Sequence, residues 1–328
     1  MSKLSITLAC GQYDRTIPLQ DGTVPVAGVD LNYVPMRPGD LFRRQARHAE
    51  FDVAELSFST YCMLNNRGDE RMIAIPVFPS RKFRHSHIYV NDDSVREPAD
   101  LIGKRIGVHE YQNTASSWIR GILKDEYGVG SDQVKWFLGG LNAPKTEGDR
   151  IPVELGSHID VTRIPGDRYL SEMLEAKEIS AVISAERPDS FVTEGSSVQR
   201  LFPNYVEVER EYFQRTGIFP IMHTVVIRRE IYERNRWLAR SLFDAFETAK
   251  DVGRERLRYT GALFASLPWL NAHIDDANEL SAGRDLFAYG ITENRKTMET
   301  FFGYSLEQGL IDKPPKVEDL YAVETHQT

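Results

Sequence analysis

An α/β fold in two lobes, the first interrupted by the second, is the architecture this sequence predicts. Three observations carry the prediction. Strand-like and helix-like patterns alternate almost from end to end, as in sheets flanked by helices. The chain has 328 residues, too many for one ordinary core and well suited to two units of common domain size. Two extended segments, Phe83 to Val90 and Ile221 to Ile227, bracket a middle stretch that begins like a fresh α/β unit. Residues 1–88 with 224–328 are therefore expected to form lobe one, and residues 89–223 an inserted lobe two. Each lobe is expected to hold a mixed sheet flanked by helices, with a ligand cleft at the hinge.

The elements follow in order. Leu4 to Ala9 alternates polar and apolar residues and reads as the first strand, and Val29 to Val34 reads as the second. Asp40 is placed to cap a helix with Leu41, Phe42, Ala46 and Ala49 on one face. Phe51 to Leu56 is a strand that runs into a polar loop, Ser57 to Thr60, and Arg71 to Pro76 is another buried strand. In the middle stretch, Arg105 to Val108 is a strand, and the loop Glu110 to Asn113 leads into a helix. That helix carries Trp118, Ile119, Ile122, Leu123 and Tyr127 on its apolar stripe and stops at Gly128. A long loop from Gly139 to Pro165 precedes a helix over Tyr169 to Glu178 and a strand over Ser180 to Ser184. Asn235 to Leu257 is a long helical region.

A formal charge of -8 opposes binding to nucleic acid, whose phosphates need a basic surface. It leaves room for a small anion, which responds to the local field. No apolar run approaches a membrane span. The first ten residues alternate rather than forming an apolar signal core, so a cytoplasmic location is expected. Cys10 and Cys62 stand apart with no disulfide or metal spacing. No G-x-G-x-x-G fingerprint, phosphate loop or G-x-S-x-G elbow is present, which disfavours nucleotide cofactors and serine hydrolysis.

Loops after strand ends are where ligands bind in such folds. Tyr13, Asp14 and Arg15 follow the first strand, and Arg15 offers a fork that matches a carboxylate or pairs with Asp14. Ser57, Ser59 and Thr60 follow the Phe51 strand. Gln112, Asn113 and Thr114 open a helix, whose free N–H groups suit an anion, although Asn113 or Thr114 equally reads as a plain cap. Arg187 follows the strand ending at Ser184. His85 and His87, two apart in an extended segment, would face one side and are weak candidates for a metal or a proton transfer. His223, on the other crossing segment, is a candidate proton carrier or an interior histidine, whereas His48 and His273 read as surface residues. Phe301, Phe302 and Tyr304 are candidates for an oligomer interface or for core.

Several stretches together resemble the 4,5-dihydroxyphthalate decarboxylase family, whose fold is that of type II periplasmic solute-binding proteins. They are Tyr13-Asp14-Arg15-Thr16, Phe51 through Ser57, Phe83-Arg84-His85-Ser86, Thr114 through Leu123, Asp167 to Leu174, and Met222 through Ile227. The resemblance spans nearly the whole chain. It implies loss of one carboxylate as carbon dioxide from a dihydroxylated aromatic diacid, leaving protocatechuate. Such a site must anchor the diacid, deliver a proton to the ring and assist a phenolic oxygen. Arg15 and the Asn113–Thr114 helix start would hold carboxylates. His223 or His85 would supply the proton, with Asp14 or Glu55 orienting it. No cofactor is expected, with a divalent ion left open. Ala185-Glu186-Arg187-Pro188 departs from the family pattern by displacing a basic residue, so a relative of the expected substrate stays in view. The rival is a non-catalytic receptor for an aromatic acid or a pyrimidine-like ligand, since solute binders share this fold. A metal-dependent hydrolase or lyase built on His85 and His87 is a third alternative.

Overall fold

A computed structural model describes residues 3–328. The chain runs β1 (Leu4–Cys10), α1 (Ile17–Gln20), β2 (Val29–Pro35), α2 (Pro38–His48), β3 (Val53–Ser57), α3 (Phe58–Asn66) and β4 (Met72–Ile75). It continues through β5 (Ile88–Val90), β6 (Arg105–Val108), α4 (Thr114–Tyr127), β7 (Lys135–Leu138), β8 (Asp160–Arg163), α5 (Leu170–Glu175) and β9 (Ala181–Ile183). Next come α6 (Asp189–Val192), β10 (Gln199–Arg200), α7 (Tyr205–Thr216), β11 (His223–Arg228), α8 (Arg229–Arg234), α9 (Trp237–Arg258), α10 (Leu270–Ser281) and α11 (Arg295–Glu307).

The chain divides into two units, one made of Met1–Arg81, Ile221–Met298 and Pro315–Thr328, the other of Lys82–Pro220 and Glu299–Pro314. The first unit is interrupted by the second, but the crossings fall elsewhere than the sequence suggests. Residues 82–88 belong to the second unit rather than the first, and 221–223 to the first rather than the second. Residues 299–314 also join the second unit, because Phe301 and Tyr304 pack on Trp118 of α4 with ring centroids 5.3 and 5.6 Å apart. Phe301, Phe302 and Tyr304 are therefore core, all buried.

In the first unit the strand order is β2-β1-β3-β11-β4, with β1 parallel to β2 and β3, and β11 antiparallel to both β3 and β4. In the second the order is β10-β5-β9-β6-β7-β8, with β6 parallel to β7 and β9, β7 parallel to β8, and β5 antiparallel to β9 and β10. Both sheets are mixed. β3 is buried along its whole length, as a strand covered on both faces must be.

Three local expectations are corrected. Arg37, not Asp40, precedes α2: Pro38 takes the first helical position, where its missing N–H costs nothing, and Asp40 lies in the first turn. The polar stretch after β3 is no loop but the start of α3, with the Ser57 hydroxyl capping Thr60 N–H at 3.4 Å. His85–His87 is a 3₁₀ turn rather than extended chain, so residues two apart do not share a side.

Candidate active site

A glutamate inside a strand buried on both faces must find donors, because an unpaired carboxylate there is costly. Glu55 is fully buried and finds four. Its Oε2 accepts the Gly11 backbone N–H at 2.8 Å and lies 3.5 Å from the Cys10 thiol. Its Oε1 accepts the Tyr13 hydroxyl at 2.7 Å and sits 2.5 Å from His223 Nδ1.

Sheet register brings them together. The parallel pairing sets Leu8 against Val53 and Ala9 against Ala54, which carries the end of β1 past Glu55. The antiparallel pairing sets Val225 against Glu55, and His223, two residues earlier, shares that face. Gly11 is needed at the turn, since a Cβ there would stand 2.8 Å from the Tyr13 ring. The turn is tied by Thr16 Oγ1, which accepts Tyr13 N–H and donates to the Gly11 carbonyl, both at 2.9 Å. Gly253 of α9 lets that helix lie against the turn, where a Cβ would meet the Asp14 carbonyl oxygen at 2.4 Å.

Burial pushes the Glu55 carboxyl upward, but the His223 imidazole, the Gly11 N–H and the Tyr13 hydroxyl outweigh it and hold the group below its usual range. Burial and the Glu55 charge push the Tyr13 hydroxyl well up, so it remains a donor. An ionised Glu55 makes Nδ1 the proton-bearing nitrogen of His223. His223 Nε2 makes no hydrogen bond to the described residues, and the side chain is 15% exposed. Phe42 meets the imidazole edge-on at 4.7 Å. The arrangement is a carboxylate–histidine pair with one ring nitrogen presented outward, competent to move a proton.

The other predicted residues of the first unit sit as follows. Asp14 pairs with Arg15 at 2.7 Å, so Glu55 and not Asp14 is the carboxylate beside His223. The Arg15 guanidinium donates to the Pro79 carbonyl at 2.7 Å and lies between the rings of Tyr13 and Phe287, 4.5 and 4.7 Å from their centroids. Ser57 stands opposite His223 in the ladder, and Ser59 and Thr60 are buried in the first turn of α3.

In the second unit, Asn113 caps α4 by accepting Ala115 N–H at 2.9 Å, Thr114 is buried behind it, and Gln112 donates to the Ile151 carbonyl at 3.1 Å. Arg187 and Glu186 are exposed. His85 is ringed by Tyr127, Phe202 and Tyr212, while His87 faces Tyr89, so the two histidines do not converge. Burial pushes the His85 imidazole down to about 4. No group of three or more histidine, cysteine, aspartate or glutamate side chains gathers as a metal site among the described residues. No helix among them is long and apolar enough to cross a membrane.

Glu55 was legible only as an alternative to Asp14, and Cys10 and Gly11 were not singled out as site residues. The available signal was one acid within the otherwise apolar run Val53-Ala54-Glu55-Leu56.

No family model matches the chain. Among solved structures it is similar to the periplasmic aliphatic sulphonate binding protein SsuA from Escherichia coli, with a TM-score of 0.56 and 12% identity over all of both chains. The alkanesulfonate-binding protein SsuA from Xanthomonas axonopodis pv. citri gives 0.52 and 11% identity over 99% of this chain and 98% of that one. A mutant of DSZB in complex with biphenyl-2-sulfinic acid gives 0.51 and 15% identity over 99% and 98%. These likenesses show the fold, that of periplasmic binding proteins. A 4,5-dihydroxyphthalate decarboxylase from Comamonas testosteroni is 38% identical over 98% of this chain and 97% of its own length. Another from Pseudomonas putida is 40% identical over 62% of this chain and 78% of its own length. With that likeness running almost from end to end, the chain belongs to the 4,5-dihydroxyphthalate decarboxylase family.

Proposed function

We propose that this protein is a carboxy-lyase that releases carbon dioxide from 4,5-dihydroxyphthalate or a close relative, with His223 as the proton carrier. Family membership supports the reaction, and the 2.5 Å contact between Glu55 and His223 supports the assignment of the proton. A proton placed on the ring carbon that bears the leaving carboxylate breaks aromaticity, and a hydroxyl para to that carbon stabilises the cation. The C–C bond then cleaves, its electron pair restores the ring, and carbon dioxide leaves. One proton is taken up and one carboxylate lost, so the balance needs no oxidant or reductant.

Glu55 serves this chemistry by position and charge. It fixes the ring of His223 and the proton on Nδ1, so that Nε2 is the nitrogen turned toward the substrate. Tyr13 and Gly11 spread the carboxylate charge over further donors, which keeps Glu55 from taking the proton itself.

The deciding experiment incubates the protein with 4,5-dihydroxyphthalate and related hydroxybenzoates and follows carbon dioxide and protocatechuate. Release from one member of the panel is expected. Tight binding with no release from any member would leave a receptor rather than an enzyme.

A further inference from the structure

We infer that residues 258–281 of the first unit, from the end of α9 through α10, form the surface on which a second copy of this chain docks. The first support is an apolar stretch with no core of its own. From Arg258 to Trp269 every residue is exposed except the half-buried Ala265. Tyr259, Leu263, Phe264, Leu267 and Trp269 are the large apolar residues among them, with exposures from 42% at Leu267 to 70% at Trp269. Connections between helices run over the surface and are ordinarily polar. Single exposed apolar residues are commonplace, but this many between positions 259 and 269 mark a contact surface.

The helix that follows repeats the pattern. A surface helix normally buries an apolar stripe along its length. α10 buries only Leu270 and Ser281, one at each end, and the residues between them are exposed or half-buried.

The occupant follows from area and charge. The apolar side chains of 259–269 leave about 500 Å² in water, since residues of this size present about 150–250 Å² each. The same patch set against itself covers about 1,000 Å², and the outer face of α10 carries the total into the range of about 1,200–2,000 Å² typical of a stable interface. Arg258 makes no ion pair with the described residues, its guanidinium reaching only the Asn278 amide oxygen at 3.5 Å. Asp275 and Glu279 of α10 pair with no cation among the described residues. A face with unpaired charges of both signs is its own complement across a twofold axis, where the guanidinium of one protomer meets a carboxylate of its partner. A lipid surface fits less well. α10 carries Asp275, Asp276 and Glu279 with no lysine or arginine, which opposes anionic headgroups.

Light scattering during gel filtration of the full chain tests the surface. The unmodified chain should run as two copies or a multiple of two. The double variant Phe264→Ser with Trp269→Ser should halve that mass or weaken association by about 100-fold or more. Both positions are exposed, so circular dichroism should show an unchanged protomer. Arg258→Glu should also weaken the assembly, and adding Asp275→Arg and Glu279→Arg should restore it, which loss of apolar surface alone does not explain. An unmodified chain that stays monomeric overturns the inference, as does a folded double variant whose assembly is intact. Should the double variant not fold, Arg258→Glu decides, and an assembly it leaves unweakened overturns the inference. Binding of a monomeric chain to phosphatidylglycerol vesicles, lost in the double variant, would overturn it in favour of a lipid surface.

Discussion

Glu55 and His223 lie 168 positions apart in sequence, yet Oε1 of one and Nδ1 of the other are 2.5 Å apart across the β3–β11 ladder. The contact couples a fully buried acid to a partly exposed imidazole and fixes the orientation of its ring.

Glu55→Gln keeps the shape and removes the charge. We expect kcat to fall by about 10- to 100-fold with little change in KM, as when the partner that orients a working histidine is lost. Carbon dioxide release at saturating substrate measures it. Unchanged kcat would take Glu55 out of the mechanism.

His223→Gln removes the proposed proton carrier. Turnover should drop by about 10²- to 10⁴-fold, the range for losing a general acid, while equilibrium binding of the acid stays within a few-fold. Equal losses in binding and turnover would instead make His223 a substrate anchor.

How much of this was legible in the sequence depends on the range of the interaction. The α/β alternation and the stop of α4 at Gly128 are local or near-local patterns, and they read correctly. The carboxylate beside His223 is not local. Asp14 is next to Arg15 in sequence and is claimed by it, whereas Glu55 reaches His223 through an antiparallel register that no short window contains. His85 and His87 misled for a related reason. The turn chosen at Arg84–His87 separates their rings, and extended periodicity cannot anticipate a 3₁₀ turn.

Gly253→Ala should act at a distance from the reacting atoms. The new methyl would press on the Asp14 carbonyl, which is backbone and cannot swing aside. Overpacking of this kind costs about 1–3 kcal/mol, and the displaced turn should loosen Tyr13 from Glu55. Stability to denaturant and kcat would both fall. Loss of stability alone would show that the turn tolerates the shift.

His85 sets an acid limit on stability. Its folded-state value of about 4 lies below the 6.5 of an unfolded chain, so between those values the unfolded state binds more protons. Stability therefore rises with pH across that window and is lost as pH falls through it, by roughly 3 kcal/mol from this group. His85→Phe should flatten the slope between about pH 6.5 and 4 in denaturant titrations. An unaltered slope would remove this histidine as a cause.

β11 is inserted between β3 and β4, so an interior position of the first sheet is filled by residues made only after nearly all of the second unit. During synthesis, the first 81 residues emerge with both neighbours of that strand lacking their shared partner. Bare edges of this kind recruit other chains. Products truncated before Ile221 should collect in aggregates, and nascent chains of this protein should need shielding by a chaperone until β11 is available.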